Sequence, residues 1–286
     1  MNIEPSKLPQ RVTPMTEAHF GLDGGAMFGI IPRPLWQRTN PADEANRIRM
    51  ACRCLLIEYA DRNVLVDVGL GTRWSEKETD IYAIRDQDVA LSSGLSERNL
   101  SAADIDDVIL THLHFDHAGG LSYDDDGHSR ASFPNARHWL QKRNWAWAQS
   151  PSTRDAGSYR KQDFGFFETA DDAPPLELID GIANIMPGIE VLPVHGHTFG
   201  MQLVKITTPD ETYIFLADLI PTASHLRDPY VMGYDLQPLT TVEEKREILY
   251  HASREGWILI FEHDPDMPMA RVEMDSRGQP RAIPVA

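Results

Sequence analysis

Residues Thr111–Gly120 read THLHFDHAGG, which places three imidazoles and one carboxylate between His112 and His117. The stretch follows the apolar run Val108-Ile109-Leu110 directly. Imidazole is costly to bury and carboxylate more so. A solvated loop has no use for four such groups, whereas a metal site has. His112 and His114 are two apart, so on extended backbone they point the same way and can reach one ion. Asp116 and His117 follow where the chain must turn toward Gly119-Gly120, and can address a second ion. The end of a strand, passing into a loop, is where ligands usually sit. Four side chains cannot complete two coordination shells, because two ions need roughly six or seven protein donors. The stretch therefore demands further His or Asp at the ends of later strands.

The chain supplies them three times. Val194-His195-Gly196-His197-Thr198 follows an apolar run, Phe215-Leu216-Ala217-Asp218 ends one, and Ile258-Leu259-Ile260-Phe261-Glu262-His263 ends another. A lone histidine past a strand is usually a satisfied core residue; its recurrence after a dense His/Asp cluster favours ligands. Around these points the pattern predicts strand, turn and strand over Arg49–Tyr59 and Val64–Val68. It also predicts a short helix capped at Ser101 and Asp104, and a buried strand over Val108–Thr111. A strand over Arg137–Gln141 leads into a helix through Trp145. Further strands are predicted over Ile189–Pro193, Gln202–Thr207 and Thr212–Ala217. Thr241 and Glu244 read as a capping box that opens a helix to about Arg254, with Gly256 as its stop. Trp257–Phe261 is the strand that delivers His263, and Arg271–Asp275 with Pro280–Val285 forms a hairpin. Residues 72–98 and 149–177 read as irregular. Strand pairs followed by strands mixed with helices predict an α/β (α+β) fold of sheets covered by helices, built as one domain over residues 1–286.

The bulk composition of 286 residues, 42% hydrophobic and 24% charged, suits a soluble globular protein. No apolar run approaches the ~20 residues of a membrane helix. The polar, Pro-broken start MNIEPSKLPQRV lacks the apolar stretch of a secretory signal, so the expected location is cytoplasmic. A net charge of −16 argues against nucleic acid as a partner. Cys52 and Cys54, two apart, read as small buried thiols rather than a disulfide.

THLHFDHAGG carries the HxHxDH pattern of the metallo-β-lactamase superfamily, and the chain resembles that family from about residue 48 to residue 265. VLVDVGLG is similar to the family's early strand, with Asp67 behind the metals. GHTFG resembles the segment GHTPG, whose first histidine is a ligand; that is His197, not His195. FLADLI resembles the strand ending in a bridging aspartate, Asp218. FEHDP resembles the segment that gives the last histidine, His263. The resemblance implies an αβ/βα sandwich of two mixed sheets flanked by helices, with the metals at one edge. It implies that His112, His114 and His197 hold one divalent ion and that Asp116, His117 and His263 hold the other. Asp218 would bridge both, with a hydroxide between them as nucleophile, which makes Asp116 and Asp218 the catalytic carboxylates. Mixed nitrogen and oxygen donors suit zinc first, and also manganese, iron or cobalt.

Within the family the chain is most similar to the quorum-quenching lactonase and organophosphate-hydrolase branch. That implies a small-molecule substrate, with lactones or activated esters and phosphotriesters first. Asp116 and Asp218 together argue against the β-lactamases. Two alternatives share the fold: a glyoxalase II-like thioesterase with the same seven ligands, and a mononuclear iron dioxygenase. Acyl-homoserine lactonases carry a tyrosine at the position of Pro221; here that phenol is either missing or supplied from Tyr230, Tyr234 or His225, which puts simple lactones and aryl esters ahead of acyl-homoserine lactones. The pocket wall is expected to be apolar, drawing on Phe28, Trp147, Phe164, Phe166, Phe167 and Tyr230. Residues 1–47 are read as an N-terminal arm that covers the site or a second copy of the chain in a homodimer.

Overall fold

The computed structural model describes residues 4–285, so the first three residues of the expected arm lie outside it. Fifteen strands run β1 Arg11–Asp23, β2 Arg47–Glu58, β3 Asn63–Val66, β4 Asp107–Ile109, β5 Ser122–Asp125, β6 His128–Ala131, β7 Arg137–Gln141 and β8 Leu176–Ile179. They continue as β9 Ala183–Met186, β10 Ile189–Val194, β11 Met201–Thr207, β12 Thr212–Phe215, β13 Ile258–Ile260, β14 Met269–Met274 and β15 Pro280–Pro284. Two mixed sheets take thirteen of them, in the orders β1-β2-β3-β4-β7-β8 and β15-β14-β13-β12-β11-β10-β9, while β5 and β6 pair on their own. Each large sheet carries parallel neighbours: β3, β4, β7 and β8 in the first, running to its edge at β8, and β12 and β13 inside the second.

Period-two alternation on β2 explains the layering. Leu55 and Ile57 face one side and join Val64, Val66 and Ile109 against Val191, Val204, Ile206, Ile214 and Phe215 of the second sheet. Cys54 and Leu56 face the other side and pack with Leu65, Val108, Leu140, Phe133 and Phe164. Both faces of β2 are therefore buried, as a central strand between a sheet and a helical layer requires. Cys52 and Cys54 are buried free thiols.

The stretch expected as an arm divides. Arg11–Asp23 is a strand that pairs antiparallel with β2 along its full length and forms the sheet edge. Edge placement tolerates Pro14, which has no N–H to give a second neighbour. Residues 24–36 then pack Met27, Phe28 and Trp36 against Phe20, Ile48 and Met50. Residues 72–98 are less irregular than expected: a helix spans Glu76–Ile81, opened by a capping box between Ser75 and Glu78. Strands β8 and β9 were not predicted; both are four residues long and mostly expose one face, so their apolar signal is weak.

The long helix begins earlier than its sequence suggests. It spans Pro238–Glu255, with Pro238 in the first turn, where its fixed φ and missing N–H cost nothing. Glu244 does not close a capping box at Thr241. Its carboxylate instead accepts from the backbone N–H groups of His195 at 2.7 Å and Gly196 at 3.0 Å, tying the helix to the loop that carries His197. Gly256 ends the helix at φ 72°, the left-handed conformation expected of a stop. Within this helix Lys245 is fully buried, and its ammonium donates to the carbonyls of His225, Arg227 and Tyr230 at 2.8–2.9 Å. The helix thus fixes the loop over residues 225–230.

The glycines of HAGG are explained by contact rather than by turning. The loop after β3 runs directly against Gly119 and Gly120. Gly120 N–H donates to the Gly69 carbonyl at 3.0 Å, and Val68 N–H to the His117 carbonyl at 2.9 Å. A Cβ on Gly120 would overlap the Val68 carbonyl oxygen, and one on Gly119 would overlap that of Leu70. Gly120→Ala should therefore cost about 1–3 kcal/mol through overpacking. Gly127→Ala, at φ 82° with open space around it, should cost only about 1 kcal/mol of backbone strain. Chemical denaturation of both variants checks this; equal losses would show that the close approach does not limit the site.

Candidate metal centre

The loops after β3, β4, β10, β12 and β13 meet at one edge of the two sheets. Each strand is short, three to six residues, and each leaves one or more His or Asp residues just past its end. The structure gathers all seven candidate residues there, each no more than 6% exposed. They fall into two groups: His112, His114, His197 and Asp218, and beside them Asp116, His117 and His263.

Asp218 lies between the groups. Its Oδ2 stands 3.1 Å from His197 Nε2, 3.6 Å from His117 Nε2 and 4.0 Å from His112 Nε2, while its Oδ1 stands 3.0 Å from His263 Nε2. In the first group His114 Nδ1 is 3.1 Å from His197 Nε2. In the second, Asp116 is 3.7 Å from His117 Nε2 and 3.8 Å from His263 Nε2, and the two imidazole Nε2 atoms are 3.4 Å apart. Donors about 2.1 Å from a tetrahedral ion stand roughly 3.3–3.5 Å from one another. The observed spacings surround that value.

The backs of the rings are held. Asp67, fully buried at φ 54°, accepts from Thr111 N–H at 2.7 Å and from the Thr111 hydroxyl at 2.6 Å. Its Oδ2 also takes His117 Nδ1 at 3.0 Å. His197 Nδ1 meets Asp235 Oδ1 at 3.0 Å, and His263 Nδ1 donates to the Ala51 carbonyl at 2.8 Å. These bonds fix each tautomer so that the opposite nitrogen faces the centre. The buried His112 Nε2 has no hydrogen-bond partner among the described residues, which fits a donor set arranged for a cation.

Charge follows distance from the carboxylates rather than that division. Burial holds His112 and His114 well below the ordinary imidazole range, with their histidine neighbours adding to the effect. Burial also lowers His197 and His263, but the Asp218 carboxylate reverses this and carries them up to about 10 and about 9. Asp218 itself is penalised by burial, yet the imidazoles around it pull its carboxyl well below the usual range. A buried carboxylate this close to so many imidazoles is held for a cation.

Two carboxylates at the centre have no counterpart in the sequence reading. Asp235 sits in a loop with no strand before it, so no pattern marks it. Glu262 lies in the FEHDP segment beside His263. It is fully buried, its Oε1 is 3.0 Å from His117 Nδ1, and burial pushes its carboxyl up to about 8. His195 lies outside both groups. Its Nδ1 accepts from Gly200 N–H at 3.1 Å, and its backbone is bound to Glu244 and Gln237.

A cavity of about 370 Å³ opens over His114, Asp116, His197, Asp218 and His263. Its walls are Leu22, Met27, Met50, Phe115 and Met232, with Tyr82, Tyr234, Arg154, Asp155, Gly157, Ser158 and Gly233. Of the expected pocket residues, Tyr234 lines it. Phe28 does not: it is fully buried, stacked between His225 at 4.5 Å and Trp36 at 5.4 Å. His225 is also spent internally, with Nδ1 2.8 Å from the Thr222 hydroxyl and Nε2 donating to the Met27 carbonyl at 2.9 Å. Tyr230 packs edge-on to Phe28, and Trp147 donates to Asp155 and packs on Phe199. Phe164, Phe166 and Phe167 belong to the core beneath the first sheet. The wall is accordingly mixed rather than apolar. Tyr82, from a stretch read as irregular, is the phenol that the sequence did not suggest.

The family profile described as the metallo-beta-lactamase superfamily matches residues 47–263. An N-acyl homoserine lactonase, AttM of Azorhizobium caulinodans, is 25% identical over 197 residues, covering 65% of this chain and 69% of that protein. A probable metallo-hydrolase of Mycobacterium bovis is 24% identical over 247 residues, covering 77% and 76%. Among solved structures, a probable metal-dependent hydrolase from Staphylococcus aureus superposes with a TM-score of 0.86 at 29% identity, covering 98% of this chain and 99% of that one. The dizinc quorum-quenching lactonase AidC, solved with the product N-hexnoyl-L-homoserine, superposes with a TM-score of 0.79 at 20% identity, covering 98% and 96%. With two mixed sheets, helices outside them and a His/Asp cluster at one edge, the chain belongs to the metallo-beta-lactamase superfamily and is a metal-dependent hydrolase of that fold.

Proposed function

We propose that the protein is a dinuclear metal hydrolase acting on lactones or activated esters and phosphotriesters. The observation that carries this reading is the position of Asp218, with one oxygen toward His197 and the other toward His263. A single ion, as an iron dioxygenase would use, leaves half of this donor set without a role. His112, His114 and His197 would hold one ion, Asp116, His117 and His263 the other, and Asp218 both. Divalent ions held there would supply Lewis-acid chemistry, lowering the pKa of a water toward neutral and polarising a substrate oxygen. Zinc suits the donors first; AidC is described as dizinc.

The chain's own residues do the rest. Leu22, Met27, Met50, Phe115 and Met232 line the cavity with apolar surface that takes an acyl or aryl group and sheds water. Tyr82 and Tyr234 bring phenol groups to the same wall and can donate to a substrate oxygen, in a chain that has Pro221 where the lactonases it resembles carry tyrosine. Asp235 fixes the orientation of His197, and Asp67 that of His117.

Elemental analysis should find close to two transition-metal ions per chain, and one ion in a replete, folded sample would reject the dinuclear assignment. Asp218→Asn keeps the side-chain shape but removes the shared charge. It should lower turnover by on the order of 10²-fold or more, with a much smaller effect on folding. Among substrates, kcat/KM should be higher for simple lactones, aryl esters or paraoxon than for β-lactams or a glutathione thioester; a clear preference for the thioester would favour a glyoxalase II-like activity instead.

Asp235→Asn should weaken metal binding roughly 10–100-fold, whereas His195→Ala should leave metal content near that of the unmodified protein. Metal loss in the His195 variant alone would reverse the choice of His197 as ligand.

A further inference from the structure

Among the described residues that line the cavity, Arg154 is the one arginine or lysine. No carboxylate lies within 4.0 Å of it among the ion pairs of the described residues. Its neighbour Asp155 does not neutralise it, because that carboxylate is spent on Trp147 Nε1 and the Ser152 hydroxyl, each at 2.7 Å. The Arg154 backbone N–H donates to the Ser152 hydroxyl at 3.2 Å, and its guanidinium donates to the Gly233 carbonyl, in the loop that also brings Met232 and Tyr234 to the wall. The exposed guanidinium is thus anchored through one nitrogen, and its remaining donors have no partner among the described residues. In a chain of net charge −16 an anionic ligand is repelled by most of the surface. A lone, unneutralised guanidinium facing a cavity is then a local exception, and its planar fork matches a carboxylate.

We propose that Arg154 is a specificity-determining residue that binds a carboxylate on the substrate, distal to the bond being cleaved. The assignment rests on the hydrolase reading above and deepens it: the substrate is a lactone or ester whose far end is acidic. The reacting group lies over His114, Asp116, His197, Asp218 and His263, the apolar wall takes the connecting carbons, and Arg154 takes the acid. No proton or bond changes at Arg154, which acts by binding alone.

The test compares two small acids on the metal-loaded protein by calorimetric or NMR titration. Butyrate offers one carboxylate and glutarate two, at similar chain length, so only glutarate can engage the metal centre and Arg154 together. Glutarate should bind at least about tenfold more tightly than butyrate, the difference of roughly 1.4 kcal/mol that one charge-assisted contact supplies. Arg154→Gln should bring glutarate down to the level of butyrate without changing butyrate, and Arg154→Lys should restore part of the difference. Equal binding of the two acids, binding of neither, a glutarate preference that survives Arg154→Gln, or a loss of both acids in that variant would each overturn the proposal. Because the readout is binding, failure of the hydrolase reading is recognised separately: a protein that selects glutarate through Arg154 but turns over no lactone, ester or phosphotriester keeps this site and loses that activity.

Discussion

The structure is organised around one carboxylate that has no place in a protein interior by itself. Asp218 is buried among the imidazoles of His112, His117, His197 and His263, all within 4.0 Å. Burying that much polarity costs several kcal/mol unless a charge completes it. The fold answers with five short strands whose following loops meet at the same edge. The sheets are thus as much a frame for the loops as a core. Their parallel central strands β3, β4, β12 and β13 point their C-terminal ends the same way within each sheet, and that is where ligands collect in such sheets.

What the sequence discloses follows from this arrangement. The donor residues were legible because each comes directly after an apolar run, so a local pattern marks both the strand and its cargo. The same holds for Asp67, Gly119 and Gly120, which lie inside or beside those runs. The central strands were equally clear, since both faces of β2 are apolar. Edge elements were not: β1 carries a proline and a half-exposed pattern, and β8 and β9 show little apolar signal. The helix over Pro238–Glu255 was placed correctly at its end but late at its start, because Thr241 and Glu244 match a capping box while serving the loop of His197 instead. A local motif was outbid by a contact some fifty residues away.

The cavity wall was the least legible part, for a physical reason. Whether an aromatic ring faces a cavity or the core depends on packing between segments far apart in sequence. Phe28 and His225 meet in one stack although they are 197 positions apart, and that stack consumes both. Tyr82 reaches the wall from a helix end next to Phe115, with ring centroids 5.1 Å apart, and nothing around it in sequence signals a site. The aromatic residues of the neighbouring stretches suggested an apolar lining; the structure keeps Tyr234 there and adds Tyr82 and the guanidinium of Arg154.

The close contact of the loop after β3 with Gly119 and Gly120 has a consequence for how such a protein can change over time. Those two loops meet backbone to backbone, with no side chain between them to be exchanged for a smaller or larger one. The part of the molecule that carries His117 and Asp67 can therefore drift very little. The wall segments that carry Arg154 and Tyr82 are different, because they lie between strands and supply none of the seven candidate ligands. New ligands can be accommodated by rewriting those stretches while the chemistry beneath them stays fixed. Conservatism and adaptability are thereby assigned to separate lengths of the same chain.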